Sequence, residues 1–179
     1  MPMAPTTKQW TLAELHSLPD DGNKYELIDG ELFVTPAPNV DHETILARLT
    51  RLLEPFVAAQ DLGFVYRPRA VLRIAKSEVE PDLMVRRPPP RKGTEWSDMP
   101  LPSLIVEVLS PSTRRRDREH KRDFYVAQAI PEYWIVDPER EAVTVVRPNH
   151  EDRMVDGALV WHPAGAREAL TIAVREIFG

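Results

Sequence analysis

The run Leu104-Ile105-Val106-Glu107-Val108-Leu109 constrains this chain more than any other stretch. It is short, rich in branched apolar residues and bounded by Pro102 and Pro111, which marks a buried central strand. Glu107 interrupts it. A carboxylate at that depth loses its hydration and must be paired, protonated or bound to a metal. A second short strand with its own acid lies upstream, Glu80-Pro81-Asp82-Leu83-Met84-Val85, and Lys121 lies downstream. Two acids and a lysine around a sheet suggest magnesium-dependent phosphodiester hydrolysis.

The bulk properties narrow the setting. A chain of 179 residues suffices for one domain with a sizeable core, read here as residues 10–179 behind a flexible N-terminal tail at 1–9. There is no cysteine, which excludes disulfides, thiolate zinc sites and cysteine nucleophiles and fits a reducing, cytoplasmic setting. Met1 to Thr7 has no apolar core of a signal peptide, and no apolar stretch approaches the roughly 18 residues of a membrane span. The net charge of −5 gives no general support to nucleic-acid binding. Its distribution matters more: between Arg86 and Arg122, ten lysines and arginines stand against five acids. That basic segment surrounds the suspected site, although a run of charges also describes an ordinary solvated face.

Local patterns place the elements. Thr11-Leu12-Ala13-Glu14 is a capping box, with Trp10 and Leu15 spaced as a hydrophobic staple, and opens a short helix to about Ser17. Tyr25 to Val34 is a hairpin turning at Asp29-Gly30, a type I′ signal. Ile45, Leu46, Leu49, Leu52, Leu53, Phe56 and Val57 form one face of a helix over about Asp41 to Ala59, which Pro55 should kink or shorten. Strands follow at about 64–67, 70–74 and 82–86. Arg87-Pro88-Pro89-Pro90 then starts an extended loop running to Pro102. After the strand at 103–109, Ser112 or Thr113 caps a helix reaching about Ala129. A strand at 133–136 completes a βαβ unit. Residues 141–161 read as a meander with a turn at Asp156-Gly157, and Leu170 to Phe178 fits either strand or helix.

Spacing links the charged residues. Lys121 precedes Phe124 and Tyr125 by three and four positions, so it shares their sheet-facing side. Three strand residues separate Glu107 from Ser110, about 10 Å. Eight helical residues carry Thr113 to Lys121, about 12 Å. A helix folding back along its strand therefore brings Lys121 beside Glu107. If strands 82–86 and 103–109 are neighbours, Asp82 and Glu107 can share one cation, with the Val108 carbonyl as an extra ligand. An all-oxygen set selects a hard ion, Mg²⁺ or Mn²⁺. Lys121 would then orient a water or stabilise developing charge. The alternative is a buried Glu107–Lys121 ion pair that only supports the fold, with Asp82 as a turn residue. His42, near a helix start, is an accessory candidate or a hydrogen-bonded core histidine. Glu26 and Glu31 flank a turn, and the pattern does not say which faces inward. The histidines at 16, 120, 150 and 162 have no metal-ligand spacing, and helix capping accounts for Ser110 and Ser112.

Several segments match a known pattern in order: Tyr25 to Leu32, His42 opening a helix, Glu80-Pro81-Asp82-Leu83, Ile105 to Thr113, Lys121 to Tyr125 and Ile130 to Pro138. Together they resemble the bacterial putative restriction endonuclease family, the Uma family, of the PD-(D/E)XK nuclease superfamily. The resemblance implies an α/β restriction-endonuclease-like core, a central mixed β-sheet flanked by helices, here with an added N-terminal hairpin and C-terminal meander. It implies Asp82 and Glu107 as metal ligands. The superfamily pattern carries lysine two residues after the glutamate, where this chain has Leu109; in the resembled family the lysine moves to the following helix, as at Lys121. The resulting expectation is a Mg²⁺-dependent DNA endonuclease, in which Arg87, Arg91, Lys92, Arg114, Arg115 and Arg116 contact phosphates and a homodimer cuts the duplex. The competing expectation is a catalytically inactive nuclease-fold protein serving as a DNA-binding or assembly module.

Overall fold

The computed structural model describes residues 8–179. Positions 1–7 of the expected tail lie outside these residues. At its end, Lys8 pairs with Glu14 at 3.0 Å and the Trp10 N–H donates to the Gly30 carbonyl at 2.8 Å.

Helix α1 (Leu12–Leu15) is closed by the capping box of Thr11 and Glu14. Strands β1 (Lys24–Ile28) and β2 (Glu31–Thr35) form the hairpin, and both turn residues, Asp29 and Gly30, have the positive φ that a type I′ turn demands. Helix α2 (Val40–Ala59) starts where the Asn39 side chain accepts from the His42 N–H, with Asp41 and Glu43 complementing the positive end of its dipole. Pro55 does not end it, contrary to the expected shortening. The carbonyl that Pro55 leaves without a partner belongs to exposed Arg51, at the solvated side of the helix.

Strands β3 (Phe64–Tyr66), β4 (Leu72–Ile74), β5 (Ser77–Val79) and β6 (Leu83–Arg86) follow. The polar Ser77-Glu78 hid β5 from sequence periodicity. It pairs with both β4 and β1, giving a four-stranded sheet of order β2-β1-β5-β4. The loop after β6 contains a 3₁₀ turn at Trp96–Asp98 and is anchored by Arg86. That buried guanidinium donates to the carbonyls of Val71 (3.2 Å), Met99 (2.9 Å) and Pro100.

Strands β7 (Leu104–Val108), β8 (Tyr133–Asp137), β9 (Ala142–Val146) and β10 (Arg153–Val155) complete a six-stranded sheet of order β10-β9-β8-β7-β6-β3. It is mixed: β7 and β8 run parallel and all other neighbours antiparallel. The expected meander stops at β10. Strand β11 (Ala158–Trp161) leaves the sheet after Asp156-Gly157 and pairs with β12 (Leu170–Ala173). The ambiguous C-terminal segment divides into β12 and a short helix (Arg175–Phe178).

The helical crossover from β7 to β8 is not the continuous α-helix expected. It consists of α3 (Arg114–Arg116), a π turn (Asp117–Lys121) and α4 (Arg122–Ala127). Thr113 occupies the N-cap position without capping; its hydroxyl instead accepts from the Ser110 N–H at 3.2 Å. The π turn has a consequence for facing. In an ideal α-helix, positions 117 and 125 would drift apart by roughly 80°. Here Asp117, Lys121 and Tyr125 are all buried on the inner side.

Alternation along the central strands sends side chains to two different layers. Leu83, Val85, Leu104, Val106, Val108, Trp134 and Val136 join the α2 residues Ile45, Leu46, Leu49, Leu53 and Val57 in one apolar core. Met84, Ile105, Tyr133 and Ile135 face Phe124 and Tyr125 in a second core, which also receives Leu72 and Val79 from the four-stranded sheet. Glu107 shares the parity of Ile105, so it points into that second layer, between two sheets and the π turn.

Candidate active site

Strands β1, β6 and β7, the start of α2 and the helical crossover bring their charges to one place. The register of β6 and β7 pairs Leu83 with Val106, so Asp82 reaches across to Val108 and its Oδ2 accepts the Val108 N–H at 2.9 Å. Strand β1 projects Lys24 and Glu26 from the same face. The start of α2 supplies His42, whose Nε2 lies 3.1 Å from Asp82 Oδ2. The π turn supplies Asp117 and Lys121, and Arg116 precedes it.

Lys121 is fully buried and its ammonium donates to Glu107 Oε1 at 2.6 Å and approaches Glu26 Oε1 at 2.8 Å, with Asp117 Oδ1 at 4.0 Å. The Tyr125 hydroxyl also donates to Glu107 Oε1, at 3.0 Å. The bonds to Glu107 thus gather on Oε1, and Glu107 lines the adjoining cavity. Lys24 donates to the Glu80 carbonyl at 3.0 Å and to Asp82 Oδ1 at 3.3 Å. Arg116 turns inward to Glu26, Asp117 and the Thr35 hydroxyl. Among the described residues, two buried side-chain atoms lack a hydrogen bond: Glu26 Oε2 and His42 Nδ1. Arg116 is 3.4 Å from the former and Glu43 3.5 Å from the latter, close enough for charge attraction but without bonding geometry.

These surroundings spread the acids apart in strength. Burial by itself would raise Glu26, but Lys121, Lys24 and Arg116 hold it at about 2. Burial likewise opposes the ionised form of Asp82, and Lys24 and His42 outweigh it, holding the carboxyl well below the usual range. Glu107 goes the other way: burial, with Asp82 and Asp117 nearby, pushes it up to about 7 against the pull of Lys121. Burial also raises Glu80. His42 is raised because the bond to Asp82 outweighs its burial.

A cavity of about 530 Å³ opens over this cluster. Lys24, His42, Glu80, Asp82, Glu107 and Asp117 line its inner part, and Arg67, Arg69, Ser110 and Ser112 its rim. Of the accessory candidates, Glu26 lies buried in the cluster, whereas Glu31 is exposed and 3.8 Å from His120, beside a shallow groove outside the cavity. Among the arginines and the lysine expected to meet phosphates, Arg116 is buried at the cavity. Arg114 forks onto Asp137 at 2.9 and 3.3 Å, and Arg115 pairs with Glu119. Arg87 donates to the Asp61 carbonyl, and Arg91 and Lys92 are exposed on their loop.

Sequence reasoning missed Lys24, Glu80, Asp117, Arg67 and Arg69. Period-two alternation could have found Lys24 once Glu26 was taken as inward, and the i, i+4 spacing from Lys121 could have found Asp117. Arg67-Pro68-Arg69 carried only a local basic signal.

Among the described residues, no group of three or more His, Cys, Asp or Glu side chains stands together as a metal cage. Asp82 and Glu107, with a main-chain carbonyl, offer a smaller all-oxygen set. That suits Mg²⁺, which keeps several waters and takes only one or two carboxylates. The donor set therefore fits a hard divalent cation.

The chain matches a family model named Uma2, described as "Putative restriction endonuclease", over residues 12–174. It is 32% identical over 142 residues to "Uncharacterized protein sll1609" of Synechocystis sp. (strain ATCC 27184 / PCC 6803 / Kazusa), covering 76% of this chain and 80% of that protein. Its fold resembles the crystal structure of a putative nuclease belonging to DUF820 from Anabaena variabilis ATCC 29413. The TM-score is 0.81 at 23% identity, and 94% of this chain and 97% of that chain are covered. The central mixed sheet with helices on both faces is thus a restriction-endonuclease-like core.

Proposed function

This chain belongs to the Uma2 family, and from that membership and the charged cavity we propose that it is a Mg²⁺- or Mn²⁺-dependent endonuclease hydrolysing DNA phosphodiester bonds. The observation that carries the reading is the meeting of Asp82 and Glu107, on adjacent strands, at one cavity.

Asp82, Glu107 and the Val108 carbonyl would hold the cation, which when bound supplies Lewis acidity toward the phosphoryl group. The chain's own residues prepare for it. Lys24, His42 and the Val108 N–H fix Asp82 from three sides. Lys121 and Tyr125 fix Glu107 by one oxygen, and the Lys121 charge favours its ionised form. Arg67 and Arg69 at the rim give a basic edge for the phosphate backbone, whereas Arg87 lies at the far end of β6 from Asp82 and Arg114 and Arg115 are paired with acids. In the reaction, the oxygen of water bonds to phosphorus as the bond to the leaving ester oxygen breaks. That oxygen takes up a proton, and the attacking water loses one. Cutting both strands of a duplex needs two such sites, so the reading takes the working form to be a homodimer acting on DNA in the cytoplasm.

The test is calorimetric titration of Mn²⁺ into wild type and Glu107→Ala, with plasmid nicking on the same samples. Binding and nicking that both vanish in the variant support the reading; a wild type that neither binds nor nicks overturns it. One observation favours the second reading, a catalytically inactive DNA-binding or assembly module: both oxygens of Asp82 already have protein partners. Thermal stability that ignores Mg²⁺ and EDTA, with duplex binding retained, would select that module, because a cation bound only by the native state must stabilise it.

A further inference from the structure

The cluster holds two ammonium groups that differ in exposure. Lys121 is fully buried, its Nζ enclosed by the carboxylates of Glu26, Glu107 and Asp117, and it is not among the residues lining the cavity. Lys24 lines the cavity beside Asp82 and Glu107, with its side chain 17% exposed. Its Nζ bonds the Glu80 carbonyl and Asp82 Oδ1. An ammonium has three N–H donors, so one remains for a group entering the cavity. The position follows from β1: alternation puts Lys24 and Glu26 on one face, with Glu26 inward to Lys121 and Lys24 two residues nearer the opening.

The state of Lys24 is also defined. Burial would favour its neutral form, but Glu26, Asp82 and Glu107 outweigh that and raise it above its ordinary value. Bonded to the Glu80 carbonyl and to Asp82 on the cavity wall, it serves as a hydrogen-bond donor there.

Resting on the nuclease reading, we propose that Lys24 is the catalytic ammonium that meets the scissile phosphodiester, and that Lys121 is a positioning counter-ion beneath the carboxylates. No bond to Lys24 forms or breaks. It donates to a non-bridging phosphoryl oxygen while water oxygen bonds to phosphorus and the ester bond opens, and it opposes the negative charge that develops there.

Because the chain has no cysteine, a single introduced thiol can be alkylated with 2-bromoethylamine to restore an ammonium. The experiment compares wild type, Lys24→Gln, Lys24→Met and Lys24→Cys before and after alkylation of the folded protein, with Lys121→Cys in parallel. Melting curves establish folding, and Lys24→Met keeps the apolar stem if the glutamine variant does not fold. Single-turnover nicking with Mn²⁺ should fall about a hundredfold or more without the Lys24 charge. Alkylation of Lys24→Cys should return most of it, and alkylation of folded Lys121→Cys should return none. Nicking by Lys24→Gln or Lys24→Met at the wild-type rate overturns the proposal and leaves the nuclease reading standing.

A wild type that nicks nothing overturns the nuclease reading, and metal-free titration with inorganic phosphate then decides the role of Lys24. Affinity should drop about tenfold or more in the Lys24 variants, the worth of one hydrogen bond between charged groups. A wild type that binds no phosphate, or variants that bind it equally, overturns the proposal.

Discussion

The two faces of the six-stranded sheet are built from the same alternating strands but have opposite chemistry. The α2 face is a dry core in which Leu49, Leu53, Val106 and Trp134 pack with no exposure at all. The opposite face carries an apolar core too, but at its edge Glu26, Asp82, Glu107, Asp117, Arg116 and Lys121 are buried together. Burying a charge costs several kcal/mol unless partners surround it. The comparison teaches what a buried carboxylate requires: counter-charges delivered from separate elements. The α2 face receives the long helix, the β11–β12 pair and the C-terminal helix with apolar side chains only, whereas the other receives the four-stranded sheet and the crossover, which bring Lys24, Lys121 and Arg116 to the acids.

The contrast can be broken most severely at Lys121. Lys121→Met leaves Glu26 and Glu107 buried without their shared partner and should cost about 3–5 kcal/mol in urea denaturation near neutral pH. A loss below about 1 kcal/mol would mean that the cluster is wetter than its burial indicates. On the dry face, Leu49→Ala should cost about 2–5 kcal/mol through lost burial and a cavity. It should leave any metal response of the folded protein unchanged, which a thermal melt with and without Mn²⁺ checks.

The pH dependence of stability separates the faces more finely. Glu107 is raised to about 7 from the ordinary 4.5, so its protonated form favours the fold below about 4.5. That contribution is lost as pH rises toward 7, at a slope of up to roughly 1 kcal/mol per pH unit. Glu26, lowered to about 2, has the opposite sign: its contribution is present above 4.5 and lost as pH falls toward 2. Denaturation across pH 4.5–7 should therefore show a decline in wild type that Glu107→Gln makes shallower and Leu49→Ala retains. The smallest effect concerns the rim. If Arg69 meets one phosphate, Arg69→Ala should lower the magnitude of the logarithmic salt slope of duplex binding by about 1; an unchanged slope would remove it from the interface.

Much of the fold was legible because periodicity is local. The apolar face of α2, the hairpin at Asp29-Gly30 and the central strand around Glu107 each followed from residues within one or two turns of each other. The proximity of Lys121 to Glu107 was also legible, since a strand and its returning helix have fixed rises per residue. Strand β5 was not, because Ser77 and Glu78 are polar residues buried by the sheet they join. The departure of β11 from the meander was hidden for a related reason: Leu159 and Trp161 are apolar whichever strand they pair with, and only packing chose β12.

For this chain, sequence alone determined the central strands, the two acids Asp82 and Glu107, and the side of the crossover on which Lys121 lies, because those depend on backbone periods and short-range spacing. Tertiary structure decided that Glu26 and not Glu31 enters the cluster, that Asp117 joins Lys121 through a π turn, and that Lys24 rather than Lys121 borders the cavity. Those choices turn on the summed field and packing of groups far apart in the chain, as Glu26 is from Lys121. No local pattern encodes such sums, since the cost of each buried charge depends on partners that only the folded chain brings within a few ångströms.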